Sequence, residues 1–213
     1  MILSLLIIIC SKNPTEILIK NIINLYKIFN IYNLKICIID SCSTDLTIYN
    51  EISKKFPLIE IHFPNNKNYE YGAYKYAYFK YPNYDIYCCI QDSFLIVKNI
   101  DISKIDDKTV FIYYSNYGFN KHNSIKSLGI ELLRNVDLEY KKIINKHFTL
   151  ATHCSFICTN YTIKNLFGTL INPPINKNGS CCYERLFGLY FIIKKYNTIN
   201  ISDKVNKIPN GRI

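Results

Sequence analysis

The sequence predicts an α/β protein in which helices flank a central, mostly parallel sheet. In the first hundred residues, apolar runs of strand length alternate with segments whose apolar residues recur at helical spacing. Strand–helix–strand repeats connect through right-handed crossovers, which place the strands in parallel. With 213 residues and 49% hydrophobic content, the chain has enough apolar surface for one buried core. We therefore expect a single domain over residues 1–213.

The opening apolar run, residues 1–10, is predicted to be the first buried strand. It lacks the basic start and the small-residue cleavage site of a signal peptide. It is also much shorter than the roughly 20 residues that cross a bilayer. After it, Asn13 is a candidate N-cap, and Pro14 suits the first position of a helix. The helix itself is indicated by apolar residues at helical spacing: Leu18, Ile22, Leu25 and Phe29.

Three more strands are predicted in the first half, at residues 34–40, 58–63 and 86–91. A polar loop at 64–68 leads into a helix that begins at Tyr69. The helix between the second and third strands is indicated by a set of residues on one face: Leu46, Tyr49, Ile52 and Phe56.

The second half is less regular. Residues 109–114 are predicted to form a strand, and 124–147 to be mainly helical with loops. A short strand is expected at 155–158. The Asn- and Pro-rich stretch 172–179 is predicted to be a loop that precedes a helix from about 182 to 196.

The charge of the chain favours anionic partners. Its formal net charge is +10, from 26 Lys and Arg against 16 Asp and Glu, and the basic residues are spread along the chain. Such a field attracts nucleotides, phospholipid surfaces and nucleic acids alike, so peripheral membrane contact stays open. No nucleic-acid recognition motif accompanies the charge, and we therefore do not predict a nucleic-acid partner.

The nine cysteines point to a reducing compartment. No C-x-x-C spacing occurs, and the vicinal pairs at 88–89 and 181–182 suit neither a zinc site nor an ordinary disulfide. Most of the cysteines lie in apolar runs, where a free thiol behaves as a small hydrophobe. We expect a cytoplasmic protein with free thiols. The abundance of Ile, Asn, Lys and Tyr is typical of an AT-rich genome, such as that of a large virus, a parasite or a low-GC bacterium.

The most informative motif is D-S-C-S-T-D at 40–45, which follows the second predicted strand. Open α/β sheets bind nucleotides at the carboxyl ends of their strands. There Asp40 can accept hydrogen bonds from a base or a ribose, while Ser41 and Ser43 supply donors. Asp45 is a second candidate for binding. Alternatively, Asp45 or Ser43 merely caps the next helix.

Two further polar motifs lie at the ends of predicted elements. Glu70 and Gly72 stand at the start of the helix after the third strand, where small residues allow a close backbone approach to a ligand or a neighbouring strand. Asp92 and Ser93 follow the fourth strand directly.

Together these motifs resemble those of nucleotide-sugar glycosyltransferases of GT-A fold. They are most similar to bacterial polysaccharide glycosyltransferases of the rhamnan-synthesis type. The likeness rests on a G-A-Y helix start at 72–74, a Q-D-S turn at 91–93, T-H-C-S-F at 152–156 and Y-E-R at 183–185. It covers most of the chain, although each motif is short. The resemblance implies a donor-binding half at 1–100 and an acceptor-binding half at 101–213.

The resemblance also implies a role for the acid after the fourth strand. In the related enzymes, an Asp-x-Asp turn holds a divalent cation that bridges the donor diphosphate. Here the turn reads Asp92-Ser93-Phe94, so the second carboxylate is missing. We expect Mn²⁺ or Mg²⁺ at Asp92, with His153 as a further ligand or a diphosphate contact; alternatively, the basic field performs part of that work. His153 could equally be a partly buried histidine.

The remaining roles that the resemblance implies concern the ribose and the chemistry. Glu70 would lie against the ribose, although a solvated loop acid would look the same. Glu184 matches the acid that takes the proton of the acceptor hydroxyl in an inverting transfer. The expected helix start at Glu184 would stabilise its charge, with or without a catalytic role. Arg185 would orient this acid or meet a phosphate.

The resemblance thus implies a hexosyltransferase of polysaccharide biosynthesis that moves a sugar from a nucleotide-sugar donor to a saccharide or glycoconjugate acceptor. Two other functions stay open. A catalytically inactive nucleotide-sugar or glycan-binding domain would explain the missing second acid. A basic nucleic-acid-binding protein would bind any polyanion with strong salt dependence.

Overall fold

The computed structural model describes residues 2–119 and 123–208. Strands and helices alternate through the first half and are less regularly arranged in the second. In chain order the described elements are β1 (Ser4–Ser11), α1 (Glu16–Ile28), β2 (Asn33–Asp40), α2 (Thr47–Lys55), β3 (Glu60–His62), α3 (Tyr69–Lys80), β4 (Ile86–Gln91), β5 (Phe94–Ile96), β6 (Thr109–Asn116), α4 (Asn123–Leu132), β7 (Thr149–Thr159), α5 (Asn160–Thr169), α6 (Lys177–Ile193), β8 (Asn197–Asn200) and β9 (Val205–Lys207), with a 3₁₀ turn at Ser202–Lys204 before β9.

Seven strands form one central sheet in the order β3-β2-β1-β4-β7-β6-β8. β7 pairs antiparallel with both β4 and β6, whereas every other neighbouring pair is parallel. Six of the seven strands therefore run in the same direction. This confirms the prediction of a mostly parallel α/β sheet in a single domain. A small second sheet pairs β5 with β9.

The sheet is buried on both faces because its central strands are continuously apolar. Leu5, Ile7 and Ile9 of β1 contribute to the cluster that contains the apolar residues of α1 and α2. Leu6 and Ile8 contribute to the opposite cluster, which contains those of α3 and α6. The first predicted strand is thus confirmed as a buried β1.

The alignment of the strands brings three polar segments to one edge. β1 pairs with β2 so that Ser11 stands beside Asp40, and β1 pairs with β4 so that Cys10 stands beside Gln91. The amide of Asp92 also donates to the carbonyl of Cys10 at 3.0 Å. The carboxyl ends of β1, β2 and β4 therefore meet, as the parallel topology requires.

Several predicted boundaries in the second half are wrong. β7 extends over eleven residues instead of the four expected at 155–158, because polar Thr and His interrupt its apolar pattern. In the stretch predicted as mainly helical, the helix α4 ends at Leu132, and turns follow. The helix α5 and the short strands β5, β8 and β9 were not predicted.

Two helix starts also differ from prediction. Helix α6 begins at Lys177, five residues early, because Asn176 caps it by accepting from the Gly179 amide at 2.9 Å. The early start places Glu184 in the second turn of the helix and not at its beginning. At α1 the N-cap position is Thr15, so Asn13 is not the cap.

All nine cysteines are free, and seven of them are buried. Among the described residues, no helix is both long and apolar enough to cross a membrane.

Candidate active site

A cleft of about 370 Å³ lies at the carboxyl ends of β1, β2 and β4. The first residues of α3 and α6 complete it. Its lining is mainly polar and charged: Cys10, Ser11, Lys12, Ser41, Tyr69, Glu70, Gln91, Asp92 and Lys177. A larger cavity of about 550 Å³ is lined by residues 133–142, and none of the predicted site residues contributes to it.

Asp40 lies beneath this cleft, with its carboxylate hydrogen-bonded inside its own turn. It is 5% exposed and accepts from the Ser43 amide at 3.0 and 3.2 Å and from the Ser43 hydroxyl. The Tyr49 hydroxyl donates to it as well, at 2.9 Å. These bonds hold the β2–α2 turn in place, so the contacts of Asp40 in this structure are with the turn itself.

Asp45 is exposed and lies just before Leu46, the N-cap position of the following helix. Its carboxylate accepts from the Thr47 amide at 2.9 Å, and hydrogen bonds from Thr47 lower its pKa. Asn13 reaches across from the β1–α1 loop and accepts from the amides of Thr44 and Asp45 at 2.8 and 3.3 Å. The side chain that was expected to cap α1 therefore ties two loops of the site together.

Gly72 is needed for the loop that precedes α3. A Cβ at this position would lie 2.2 Å from Oδ1 of Asn66 and 2.7 Å from Cβ of Asn68. The close approach lets the Asn66 amide donate to the Ser41 hydroxyl and to the Tyr69 carbonyl, each at 2.8 Å. Gly72 thus allows α3 to pack closely against the loop that carries Asn66 and Asn68.

Glu70 connects three elements at the edge of the cleft. It is 8% exposed and accepts from the Gln91 amide at 2.5 Å and from the Ser180 hydroxyl at 2.9 Å. These bonds join the start of α3 to the end of β4 and to the first turn of α6. Glu70 is therefore a buried, partnered acid and not a solvated loop residue.

Asp92 and Ser93 form the turn after β4, and both are buried. One oxygen of Asp92 accepts from the Ser11 hydroxyl at 3.0 Å and from the Lys12 amide at 3.1 Å. The hydroxyl of Ser93 accepts from the ammonium group of Lys207. The turn thus has one carboxylate and, next to it, a lysine that arrives from β9.

This donor set does not fit a divalent cation. Such ions prefer several oxygen ligands, and carboxylates among them. No group of three His, Cys, Asp or Glu side chains in residues 2–119 and 123–208 is placed to hold a metal. The residue after Asp92 contacts an ammonium group, which would repel a metal held beside it.

His153 and Glu184 form a second cluster, on β7 and α6. Helix α6 lies close against β7 because Gly188 has no side chain; a Cβ there would lie 2.0 Å from the carbonyl oxygen of Thr149. Nδ1 of His153 is 3.8 Å from Oε1 of Glu184, and the two side chains are 34% and 21% exposed.

The backbone around the cleft adopts an unusual conformation. His153 and its neighbour Cys154 have φ values of +55° and +54°, and the β6–β7 register shifts beside them. Each such residue costs on the order of 1 kcal/mol. Eight described non-glycine residues have positive φ, and six of them lie on segments around the cleft: Asn13, Cys42, Asn65, Tyr69, His153 and Cys154.

Burial shifts the pKa values of this pair in opposite directions. It raises the pKa of the Glu184 carboxyl to about 7, against the opposing charge of Arg185; the charge of Glu70 raises it further. Burial lowers the pKa of His153 to about 4, with added repulsion from Lys207 and Lys177. His153 is therefore neutral at pH 7, and its contact with Glu184 is not an ion pair.

Arg185 is buried and hydrogen-bonded to backbone carbonyl groups. Its guanidinium group donates to the carbonyl oxygens of Gly118 at 3.0 Å and Cys181 at 2.8 Å, and it is 6% exposed. It lies 3.9 Å from the Glu184 carboxylate. Arg185 therefore orients the helix and influences the acid through its charge.

Of the predicted site residues, Ser41, Glu70 and Asp92 line the cleft, and Asp40, Ser43, Gly72 and Ser93 support it. His153 and Glu184 stand next to it, and the charges of two cleft residues, Glu70 and Lys177, influence the pKa values of both. Asp45 points away into solvent. Sequence reasoning missed a set of polar residues at the site: Ser11, Lys12, Asn66, Gln91, Lys177 and Lys207.

The sheet order, with one reversed strand between β4 and β6 and a cleft at the carboxyl edge, defines a fold of the GT-A type. No family model and no curated protein matches the sequence. Among solved structures, the chain is similar to the mannosyltransferase PcManGT from Pyrobaculum calidifontis, determined in complex with GDP-Man and Mn²⁺. That match has a TM-score of 0.59 at 11% identity and covers 100% of this chain and 59% of that protein.

Two other structures share the fold. TarS 1-349 of S. aureus matches with a TM-score of 0.53 at 14% identity, over 94% of this chain and 58% of that one. A 4-diphosphocytidyl-2C-methyl-D-erythritol synthase matches with a TM-score of 0.52 at 7% identity, over 100% and 94%. The chain thus spans about three fifths of the first two proteins. At these identities the likeness shows the fold, which different activities share.

Proposed function

We propose that this chain is a glycosyltransferase that moves a sugar from a nucleotide-sugar donor to a saccharide or glycoconjugate acceptor, with inversion at the anomeric carbon. The GT-A fold supports the class of donor, because this fold binds nucleotide derivatives at the carboxyl edge of its sheet. The observation that carries the proposal is the position of Glu184: its carboxyl stands beside that edge, largely shielded from solvent, and this burial raises its pKa to about 7.

The donor would occupy the cleft. Ser11, Ser41 and the first residues of α3 supply hydrogen-bonding groups, and Tyr69 offers an aromatic ring next to them. Lys12 and Lys177 place positive charge where a diphosphate would lie. We assign donor binding to residues 1–100, together with the start of α6 and β9, and acceptor binding to the other residues of 101–213.

Glu184 would act as the general base. Its ionised carboxylate accepts the proton of the acceptor hydroxyl while the hydroxyl oxygen attacks the anomeric carbon. The bond from that carbon to the diphosphate oxygen breaks, and the nucleoside diphosphate leaves with the electron pair. A base works best when its pKa is near the operating pH, and burial brings Glu184 to that range. Neutral His153 helps to shield this carboxylate from water.

Any divalent cation in this reaction would be held at Asp92, by analogy with the Mn²⁺ of the mannosyltransferase complex. Because the donor set around Asp92 does not fit such an ion, no step here is assigned to a metal.

Substitution of Glu184 tests the proposal. Glu184→Gln keeps the shape of the side chain but cannot accept the proton, so turnover should fall by about 100-fold or more while donor affinity stays nearly constant. The matched control is Glu51→Gln, an exposed position on α2 whose carboxylate is 3.6 Å from Lys55. We expect no change in turnover for this control.

A stability measurement on the same variants separates catalysis from structure. Because burial disfavours the ionised carboxylate, Glu184→Gln should melt at the same or a higher temperature at pH 8. Near-normal turnover in a folded Glu184→Gln variant, or lower turnover that simply follows a lower melting temperature, would contradict the role of Glu184 as the base.

A further inference from the structure

Lys207 stands beside the turn after β4, where the pairing of two short strands fixes it. β9 pairs antiparallel with β5, and the register places Lys207 opposite Phe94. The amide of Ile208 donates to the carbonyl of Ser93 at 3.0 Å. A lysine nearly 120 positions along the chain from Asp92 is thereby brought to the two residues that flank this acid.

The ammonium group of Lys207 is held in a defined position. It donates to Oε1 of Gln91 at 2.9 Å and to the hydroxyl oxygen of Ser93. It also lies 5.4 Å from the centroid of the Phe94 ring, in a cation–π contact. Gln91 and Ser93 thus orient the ammonium group toward the turn after β4.

The charge of Lys207 belongs to a set of cations around the cleft. Phe94, whose ring contacts Lys207, also lies 5.7 Å from the ring of His153, and the charges of Lys207 and Lys177 help to lower the pKa of that histidine. Lys12 and Lys177 line the cleft itself. The N-termini of α3 and α6, at Tyr69 and Lys177, add partial positive charge. A diphosphate in the cleft would therefore meet cations on several sides.

The two acids that line the cleft are fixed by hydrogen bonds from neighbouring groups. Glu70 is hydrogen-bonded to Gln91 and Ser180, and one oxygen of Asp92 accepts from Ser11 and Lys12. Gln91 connects Glu70 to Lys207 directly, since its amide donates to the acid and its carbonyl oxygen accepts from the lysine. The position beside Asp92 thus already carries a positive charge from the protein.

We propose that Lys207, together with Lys12 and Lys177, neutralises the diphosphate of the donor, so that donor binding requires no divalent cation. This inference rests on the proposed function, because it assigns the charge compensation within the same cleft. Lys207 supplies from the protein the positive charge that a metal ion, held by a second carboxylate in this turn, would otherwise supply.

Binding of inorganic pyrophosphate tests the inference by calorimetry, because this probe carries the two phosphates without a base. We expect the affinity of the wild-type chain to agree within about twofold in EDTA and in Mn²⁺. In EDTA, Lys207→Met should weaken binding by about tenfold or more, whereas Lys207→Arg should stay within about threefold of wild type. Lys204→Met is the matched control, since Lys204 pairs with Asp203 on the exposed surface, and we expect no change for it.

The outcomes also separate this inference from the proposed function. Binding of pyrophosphate and nucleotide sugars only in Mn²⁺, or unchanged binding by Lys207→Met, would overturn the role of Lys207 and leave glycosyl transfer standing. If neither probe binds with or without Mn²⁺, both proposals are wrong. Lys207→Gln, which keeps a hydrogen-bonding group but not the charge, replaces Lys207→Met if the latter melts below the assay temperature.

Discussion

The acids of the donor side and the acid on α6 are held in opposite ways. Asp40, Glu70 and Asp92 each accept at least two hydrogen bonds from neighbouring loops or helices. Glu184 instead lies 3.8 Å from His153, which is neutral at pH 7, and 3.9 Å from Arg185, and burial disfavours its ionised form. The hydrogen bonds of the donor side therefore fix its shape before any ligand binds. For Glu184, in contrast, burial favours the protonated form of the carboxyl.

This difference separates binding from chemistry. The hydrogen-bonded carboxylates of the donor side fix the shape of the site, whereas a catalytic base must accept a proton. A buried carboxylate with a pKa near 7 accepts one readily at physiological pH. Substitutions on the donor side should consequently change stability and donor affinity, whereas substitution of Glu184 should change turnover.

The largest effect on the donor side is expected at Gly72. Gly72→Ala places a Cβ against Asn66 and Asn68, so the free energy of unfolding should fall by about 1–3 kcal/mol, and donor affinity should fall with it. Gly168→Ala is the control within α5, because nothing lies within 4 Å of its Cβ position. Urea denaturation of both variants decides, and equal stabilities would show that the Asn66 loop is not rigid.

Asp40 should come next. Asp40→Ala removes the acceptor for Ser43 and Tyr49, and we expect nucleoside diphosphate affinity to weaken by about 1–3 kcal/mol as the turn loosens. Tyr49→Phe removes only one of these bonds and should cost about 1 kcal/mol or less. Calorimetric titration measures both. Unchanged affinity in folded Asp40→Ala would remove this turn from the site.

The pH dependence of turnover tests the other side. Because the proposed base must be ionised and its pKa is about 7, kcat should rise about tenfold from about pH 6 to pH 8 and then level off. His153, with a pKa of about 4, contributes no step in this range. A flat profile over these pH values, with chemistry rate-limiting, would contradict a base with the pKa of Glu184.

The smallest effect is expected at Asp45, at the margin of the donor side. Asp45→Ala removes one exposed hydrogen bond from the Thr47 amide, so the melting temperature should fall by less than in Asp40→Ala. Donor affinity should not change. A clear loss of affinity would show that Asp45 contacts the donor and that the donor site extends beyond the cleft.

The same two regions differ in how far the sequence predicts them. In the first half, continuous apolar strands and helical spacing predict β1, β2, β4 and the start of α3 correctly. The polar residues at the strand ends then follow from the parallel topology, which brings Ser41 and Asp92 to the same edge of the sheet. Ser11 and Lys12 follow β1 in the same way, and the same rule would have identified them.

The second half depends on contacts that are distant in sequence. Gly179 belongs to the loop predicted at 172–179, yet it is buried in the first turn of α6, where Asn176 caps the helix. No local sequence pattern predicts that β7 runs in the reverse direction or that His153 and Cys154 have positive φ. Lys207 reaches the site only because β9 pairs with β5, which spacing along the chain does not reveal.

The most direct test of glycosyl transfer by this cleft is the analysis of reaction products. The wild-type chain is incubated with a panel of nucleotide sugars and saccharide acceptors, and the products are identified by mass spectrometry and NMR. Our account predicts that nucleoside diphosphate appears in step with a glycoside of inverted anomeric configuration. Nucleotide-sugar binding without a glycoside from any donor would instead indicate an inactive binding domain, and a product of retained configuration would contradict a reaction in which Glu184 serves as the base.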